Sequence, residues 1–226
     1  MDVLLVDDEP MLLDIGALFL EREEGIRVYT ASSAQEGLEL LEQGTFDVVV
    51  SDFQMPGMDG IEFLRELRER GSVIPFIIFT GRGREDVVID ALNSGANFYV
   101  QKGGDATAQF TELAHKIRQA VRQRETEKSL EEERNRLEQV SENIGACLAI
   151  IDPRFHVLWT NRVTREICGD TEGDLCYRAL HGRDDECPGC TIRQIFDSKV
   201  ERSIFERVFT GEAGEQYHFE VIATPL

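Results

Sequence analysis

Five polar side chains in the first half of the sequence lie at or just after the ends of apolar runs. They are Asp7, Asp8, Asp52, Thr80 and Lys102. In an open parallel α/β sheet the carboxyl ends of the strands meet at one edge, so we expect these groups to converge there. Clustered carboxylates repel one another unless a cation lies among them, and Mg²⁺ accepts a few carboxylates. A lysine and a hydroxyl group add the positive charge and the hydrogen-bond donor that an incoming phosphoryl group requires. The pattern therefore predicts a Mg²⁺ site that receives a phosphoryl group.

Repeated β-α units must position these residues. Strand-like apolar runs lie at 2–6, 26–30, 46–51, 74–80 and 97–101. Helical patterns lie between them at 10–23, 33–44, 59–71 and 84–95, and the last three end in glycine. Strands that are apolar almost throughout are typical of a sheet covered on both faces. The sequence therefore predicts an α/β fold with a doubly wound, five-stranded parallel sheet.

Composition and charge exclude several kinds of partner. The 226 residues carry a formal charge of −19, from 43 acids against 24 Lys and Arg, which disfavours binding to nucleic-acid phosphates. No apolar run approaches the ~20 residues that a membrane span needs, and the acidic N-terminus lacks a signal peptide. The sequence predicts a cytoplasmic protein that binds neither nucleic acid nor membrane.

Residues 106–143 contain no Pro or Gly and are rich in charged side chains, which predicts one long helix. Its apolar positions form two sets, Phe110, Leu113, Ile117 and Val121, then Leu130, Leu137, Val140 and Ile144. We expect the first set to dock on the sheet and the second to begin a coiled-coil seam. This predicts a homodimer through the helix, and the alternative is a single solvated helix.

Residues 2 to about 120 resemble the receiver domain of two-component response regulators. The resemblance rests on "LLVDDEP", "DVVVSDFQMPGMDGIEFL", "PFIIFTG" and "GANFYVQK", in that order. It implies a flavodoxin-like fold and a role in phosphorelay signal transduction, with a histidine kinase or phosphotransfer protein as partner. No independent catalytic domain is evident, so any catalysis would be self-phosphorylation and autodephosphorylation.

The resemblance implies a role for each acidic residue. Asp52 would be the phospho-acceptor, attacking a phosphohistidine of the partner. Asp8, Asp52 and the backbone carbonyl of Gln54 would hold Mg²⁺, and Asp7 would assist through water.

The resemblance also implies a switch. Thr80 and Tyr99 fall on the switch positions of the family, and Lys102 would pair with the phosphate. The family usually has a cis proline after this lysine, but Gly103 stands here, which predicts a trans bond and a more flexible loop.

The second half of the chain predicts a small α+β domain. "SENIGACLAIIDPRFHVLWTNRVTREICG" resembles the start of a PAS sensor domain. Only two strand-like runs follow its middle region, around a predicted turn at 210–214, where the resemblance implies three strands. We expect a C-terminal truncation, and the alternative is a domain that leaves an unpaired strand edge. The predicted domains are a receiver at 1–121, a helical linker at 122–143 and a PAS-like domain at 144–226.

All five cysteines lie in this second half. Cys176, His181, Cys187 and Cys190 form a C-x4-H-x5-C-x2-C pattern that suits tetrahedral Zn²⁺. A redox-active CxxC pair, an iron–sulfur ligand set and cysteines that simply pack are alternatives.

These patterns together predict a receiver that is phosphorylated on Asp52 and relays the change through a helix to a PAS-like sensor domain. One alternative is an N-terminal fragment of a hybrid sensor histidine kinase. Another is a metal- or redox-sensing binding module with a vestigial receiver.

Overall fold

The computed structural model of the protein describes residues 1–81, 85–198, 202–210 and 216–225. It divides into two compact units, Met1–Leu130 and Glu131–Leu226, and the boundary falls within one long helix. Among the helices in the described ranges, none combines the length and apolarity that a membrane crossing requires.

Five parallel strands form the sheet of the first unit. They are β1 (Asp2–Val6), β2 (Arg27–Ala31), β3 (Val48–Ser51), β4 (Phe76–Thr80) and β5 (Phe98–Gln101). Their order is β2-β1-β3-β4-β5, which confirms the predicted doubly wound sheet. Val6 lies opposite Ser51 in the register, so Asp7 and Asp52 follow their strands at the same edge.

The strands alternate their side chains between two apolar layers. Val3, Leu5, Val48 and Val50 belong to the core cluster that includes residues of the first and fifth helices of the unit. Leu4, Val6 and Val49 belong to the cluster on the other side. Because both faces are covered, these strands carry almost no polar residues, and each fully buried side chain contributes about 1.5–3 kcal/mol.

Helices cover both faces of the sheet. They are α1 (Pro10–Leu20), α2 (Ala34–Gln43), α3 (Gly60–Glu69), α4 (Glu85–Asn93) and α5 (Ala106–Asn143). A capping box begins α3: the Asp59 carboxylate accepts the Ile61 and Glu62 N–H groups at 2.8 Å each, and Glu62 accepts the Asp59 N–H. This cap sets where α3 starts after the loop that leaves β3.

Helix α5 has the bounds that the sequence predicts, Ala106–Asn143. Its first apolar set is buried against the sheet, as predicted. Its second set is exposed, at 68% for Leu130 and 64% for Leu137, with Val140 and Ile144 also exposed.

The second unit contains both helices and antiparallel strands. Strands β6 (Ala149–Ile151) and β7 (Val157–Thr160) form one pair, and β8 (Ser203–Thr210) and β9 (Gln216–Ala223) form another. Between the pairs lie α6 (Arg162–Cys168), α7 (Cys176–Ala179) and α8 (Thr191–Ser198). The predicted turn at 210–214 lies outside the described residues from position 211 onward.

Candidate functional site

The ammonium group of Lys102 joins two buried acids. Its Nζ atom lies 2.5 Å from Oδ2 of Asp7 and 2.7 Å from Oδ1 of Asp52. Asp7 is only 3% exposed and Asp52 only 8%. A buried carboxylate is costly unless it is paired, so the single lysine charge compensates both acids.

Backbone hydrogen bonds extend the sheet just past the strand ends and hold these side chains at its edge. The Asp52 N–H donates to the Val6 carbonyl at 2.8 Å, and the Lys102 N–H donates to the Thr80 carbonyl at 2.7 Å. Thr80 is 2% exposed at the end of β4. The structure therefore brings Asp7, Asp52, Thr80 and Lys102 to one edge.

Asp8 and Gln54 lie on the outer side of this edge, since both are exposed. Asp7 is engaged from two sides, because its Oδ1 atom also accepts the Glu9 N–H at 3.0 Å. The Oδ2 atom of Asp52 accepts the Gln54 N–H at 2.6 Å, which turns the chain immediately after the strand.

The charges at this edge shift two pKa values. Burial lowers the pKa of Lys102, but the hydrogen bonds that its ammonium group donates to Asp52 and Asp7 outweigh this effect, and the pKa is raised overall. Lys102 is therefore charged at neutral pH. Burial, followed by the negative charge of Asp52, raises the pKa of the Tyr99 phenol. The charge on Asp52 therefore adds to the effect of burial on the Tyr99 pKa.

Gly60 is a site residue that sequence reasoning missed. A Cβ atom placed on it would lie 2.2 Å from the Asp52 carbonyl oxygen, so no other residue fits without a shift of the backbone. The Gly60 N–H donates to the Phe53 carbonyl at 2.9 Å. The first turn of α3 therefore packs directly on the backbone of Asp52. The Asp-Gly pair at a helix start was the available signal.

The peptide bond between Lys102 and Gly103 is trans, as predicted, since the described residues contain no cis peptide bond. The Gly103 N–H donates to Oε1 of Gln109 at 2.9 Å. A proline at this position would lack that donor. Gln109 in α5 therefore ties down the loop after Lys102, a contact that the sequence did not suggest.

The edge of the sheet that carries Asp7, Asp8 and Asp52, here called the acidic edge, suits an ion that takes few protein ligands. In the ranges that the structure describes, no group of three or more His, Cys, Asp or Glu side chains is arranged to hold a metal ion. Mg²⁺ usually keeps several waters and binds one or two carboxylates, so it does not need such a group. Oxygen donors on Asp8, Asp52 and the Gln54 backbone fit this preference.

The absence of such a group in the described residues counts against a zinc site built from Cys176, His181, Cys187 and Cys190. Structural zinc needs four protein ligands at one point, and the structure does not arrange the predicted set in that way. Cys176 instead lies in an apolar cluster with Phe155 and Val157. The described residues therefore give no support to the predicted zinc site.

Comparison with known proteins assigns the family. Residues 3–117, just over half of the chain, match the response regulator receiver domain. The chain belongs to this family. Its N-terminal unit is the receiver domain of a two-component response regulator, the class of protein that partners histidine kinases or phosphotransfer proteins.

Individual relatives agree with this assignment. The chain is 33% identical over 177 residues to the uncharacterized transcriptional regulatory protein YkoG of Bacillus subtilis, covering 78% of this chain and 68% of the relative. It is 31% identical over 152 residues to the transcriptional regulatory protein FixJ of Bradyrhizobium diazoefficiens, covering 67% and 68%. A receiver domain structure from Clostridium thermocellum is 33% identical with a TM-score of 0.50, covering 55% of this chain and 97% of that one.

Proposed function

We propose that Asp52 accepts a phosphoryl group from a phosphohistidine of a partner kinase or phosphotransfer protein. The observation that carries the proposal is the pairing of Lys102 with Asp7 and Asp52 at the carboxyl edge of the sheet. An enclosed carboxylate beside a fixed positive charge suits a nucleophile that must gain a phosphate, since the cation can pair with the new oxygens.

The transfer itself follows from the contacts of Asp52. One carboxylate oxygen attacks phosphorus, the P–N bond to the histidine breaks, and an acyl phosphate forms. The Gln54 N–H holds Oδ2 in place, while Lys102 contacts Oδ1 and is near enough to pair with the phosphoryl oxygens. We assign Thr80 the role of turning its hydroxyl toward the phosphate and Tyr99 that of swinging inward.

Magnesium binding belongs to the same proposal. Asp8, Asp52 and the Gln54 carbonyl would hold the ion, with Asp7 acting through water. Bound Mg²⁺ supplies positive charge for the phosphoryl oxygens during transfer.

Aromatic packing supports a route from this edge to α5. Phe79 precedes Thr80 in β4, and the Lys102 ammonium lies 5.6 Å from its ring centroid. The centroid of the Phe79 ring lies 5.7 Å from the centroid of the Phe110 ring in α5. We propose that rearrangement of Thr80 and Lys102 changes how Phe110 docks and so reaches the helix.

We further propose that α5 passes the change to a PAS-like domain as a homodimer. Leu130, Leu137 and Ile144 are exposed and spaced seven residues apart, as a coiled-coil seam requires. Several relatives are named as transcriptional regulators. Our prediction that this chain does not bind nucleic acid rests on its charge of −19.

The direct test is phosphorylation in solution. Acetyl phosphate and Mg²⁺ should add one phosphoryl group to the full chain by intact-mass spectrometry, and Asp52→Asn should abolish it. The matched control is Asp14→Asn, because Asp14 is an exposed acid on α1. No added mass on the wild-type chain, or undiminished addition in Asp52→Asn, would reject the proposal.

A further inference from the structure

Cys187 and Cys190 lie at the two ends of a tight turn. Pro188 and Gly189 form its centre, and Gly189 has φ of +64°. Proline followed by a residue of positive φ is typical of a type II turn, whose end Cα atoms lie within ~7 Å. Disulfide-bonded cysteines have Cα atoms about 4.4–6.8 Å apart, so the turn holds these two residues near bonding range.

The third cysteine nearby differs in environment. Cys176 is 4% exposed within the apolar cluster, whereas Cys187 and Cys190 are half-buried. Burial, followed by the electrostatic effect of Cys190 and Cys187, raises the pKa of Cys176 to about 12. Apolar side chains enclose Cys176, whereas Cys187 and Cys190 are each partly exposed, so a disulfide in solution reaches the two turn cysteines more readily.

We propose that Cys187 and Cys190 form a reversible dithiol–disulfide pair, a redox site separate from the phosphorylation proposed for Asp52. The oxidant is a low-molecular-weight disulfide. One cysteine thiolate attacks it, and a mixed disulfide forms as the first small thiolate leaves. The second cysteine then attacks the mixed disulfide and the second small thiolate leaves. The protein loses two hydrogens and the oxidant becomes two thiols.

The bond would act on the start of α8. The Cys190 carbonyl accepts the Gln194 N–H at 3.2 Å, so Cys190 lies at the N-cap position directly before α8. Arg193 in the first turn pairs with Glu186 and lies 4.9 Å from the centroid of the Phe155 ring. Glu186 directly precedes Cys187, so the ion pair already closes the same short segment that the disulfide would close. Oxidation therefore fixes the helix start in the arrangement that the ion pair favours.

A single tryptic peptide can report the bond. Cleavage after Arg183 and Arg193 yields peptide 184–193, which contains both turn cysteines, while Cys176 falls in peptide 166–178. The full chain is treated with oxidised glutathione, unfolded, alkylated with iodoacetamide and digested. Peptide 184–193 should lose both alkyl groups and two hydrogens, and dithiothreitol should restore alkylation. Cys176→Ser should behave like wild type, whereas Cys187→Ser and Cys190→Ser should carry one glutathione instead.

Four outcomes would overturn the proposal. The first is a peptide 184–193 that stays doubly alkylated, and the second is its cross-linking to peptide 166–178. The third is oxidation at the same glutathione ratio in urea as in the native chain, because the fold would then contribute nothing. Stoichiometric zinc in the purified protein, held until the thiols are alkylated, would also contradict it.

Discussion

Lys102 and Asp52 are fifty residues apart in the chain, yet the lysine Nζ lies 2.7 Å from the carboxylate Oδ1. The same Nζ contacts Asp7, so one cation serves two buried acids. One cation therefore compensates two carboxylates, and any change at Asp52 must also alter the contacts of Lys102.

Replacing Lys102 should therefore destabilise the receiver. Lys102→Met leaves Asp7 and Asp52 buried without a cation, which should cost about 3–5 kcal/mol at neutral pH. Hydrogen exchange of the β1 amides, Val3–Val6, reports this unit alone and should show the loss of protection. The control is Lys128→Met, at an exposed position on α5. Equal protection in both variants would contradict the pairing of Lys102 with Asp7 and Asp52.

Magnesium binding should depend on Asp8. Added Mg²⁺ should raise the unfolding temperature of the wild-type receiver. At a hundredfold excess of Mg²⁺ over Kd, the free energy of unfolding should rise by about 2.7 kcal/mol. Asp8→Ala should abolish this increase while leaving the metal-free transition near its original value, because Asp8 is exposed. Glu24→Ala, an exposed acid before β2, should respond like wild type. An undiminished increase in Asp8→Ala would exclude Asp8 as a ligand.

Gly60→Ala should disturb Asp52 without touching its side chain. The new methyl group would lie 2.2 Å from the Asp52 carbonyl oxygen, and overpacking of this kind typically costs about 1–3 kcal/mol. Phosphorylation by acetyl phosphate should slow as the backbone shifts. In Gly44→Ala the new Cβ meets nothing closer than 3.7 Å, so that variant is the control. Wild-type kinetics and stability in Gly60→Ala would show that the site tolerates the shift.

Asn161 should hold the end of α5 to the second unit's first strands. Its fully buried amide donates to the Ser141 and Ala146 carbonyls at 2.9 and 2.8 Å, and accepts the Leu148 and Thr164 N–H groups. Asn161→Ala should lower the free energy of unfolding by at least about 2 kcal/mol, because it removes a helix cap and leaves buried backbone groups without hydrogen-bond partners. Hydrogen exchange over 141–148 should accelerate.

Asn143→Ala is the matched control. The Asn143 amide is exposed and donates a hydrogen bond to the Gln139 carbonyl within α5 itself. Equal exchange in the two variants would mean that Asn161 is not what orders the junction.

Tyr99 should report the charge on Asp52. Its raised pKa means that the folded chain holds the phenol proton more tightly, so the associated stability is present below pH ~10 and lost as pH rises through the folded pKa. Asp52→Asn removes the negative charge and should lower the Tyr99 pKa toward its ordinary value. Tyrosinate absorbance, with the Tyr99→Phe titration subtracted, measures it. An unchanged pKa would place Asp52 out of electrostatic reach.

Much of the fold was predictable because its signals are local. The alternation of apolar strands and amphipathic helices marks the five-stranded sheet, and the stretch without Pro or Gly marks the long helix to its end residues. Strand order then brings acids from separate strands to one edge. The close approach of Gly60 to Asp52 and the contact of Gln109 with Gly103 were not predictable, because each depends on how a helix packs after a loop.

The sequence by itself determined which chemical groups stand at the strand ends and that the strands are covered on both faces, since both follow from residue type and periodicity. Only the tertiary structure decided that Lys102 pairs with Asp7 and Asp52 while Asp8 faces solvent. It also placed Cys176 in an apolar cluster instead of a four-ligand metal site. Spacing along the chain limits how close two groups can come, but the packing of distant segments decides which of them meet.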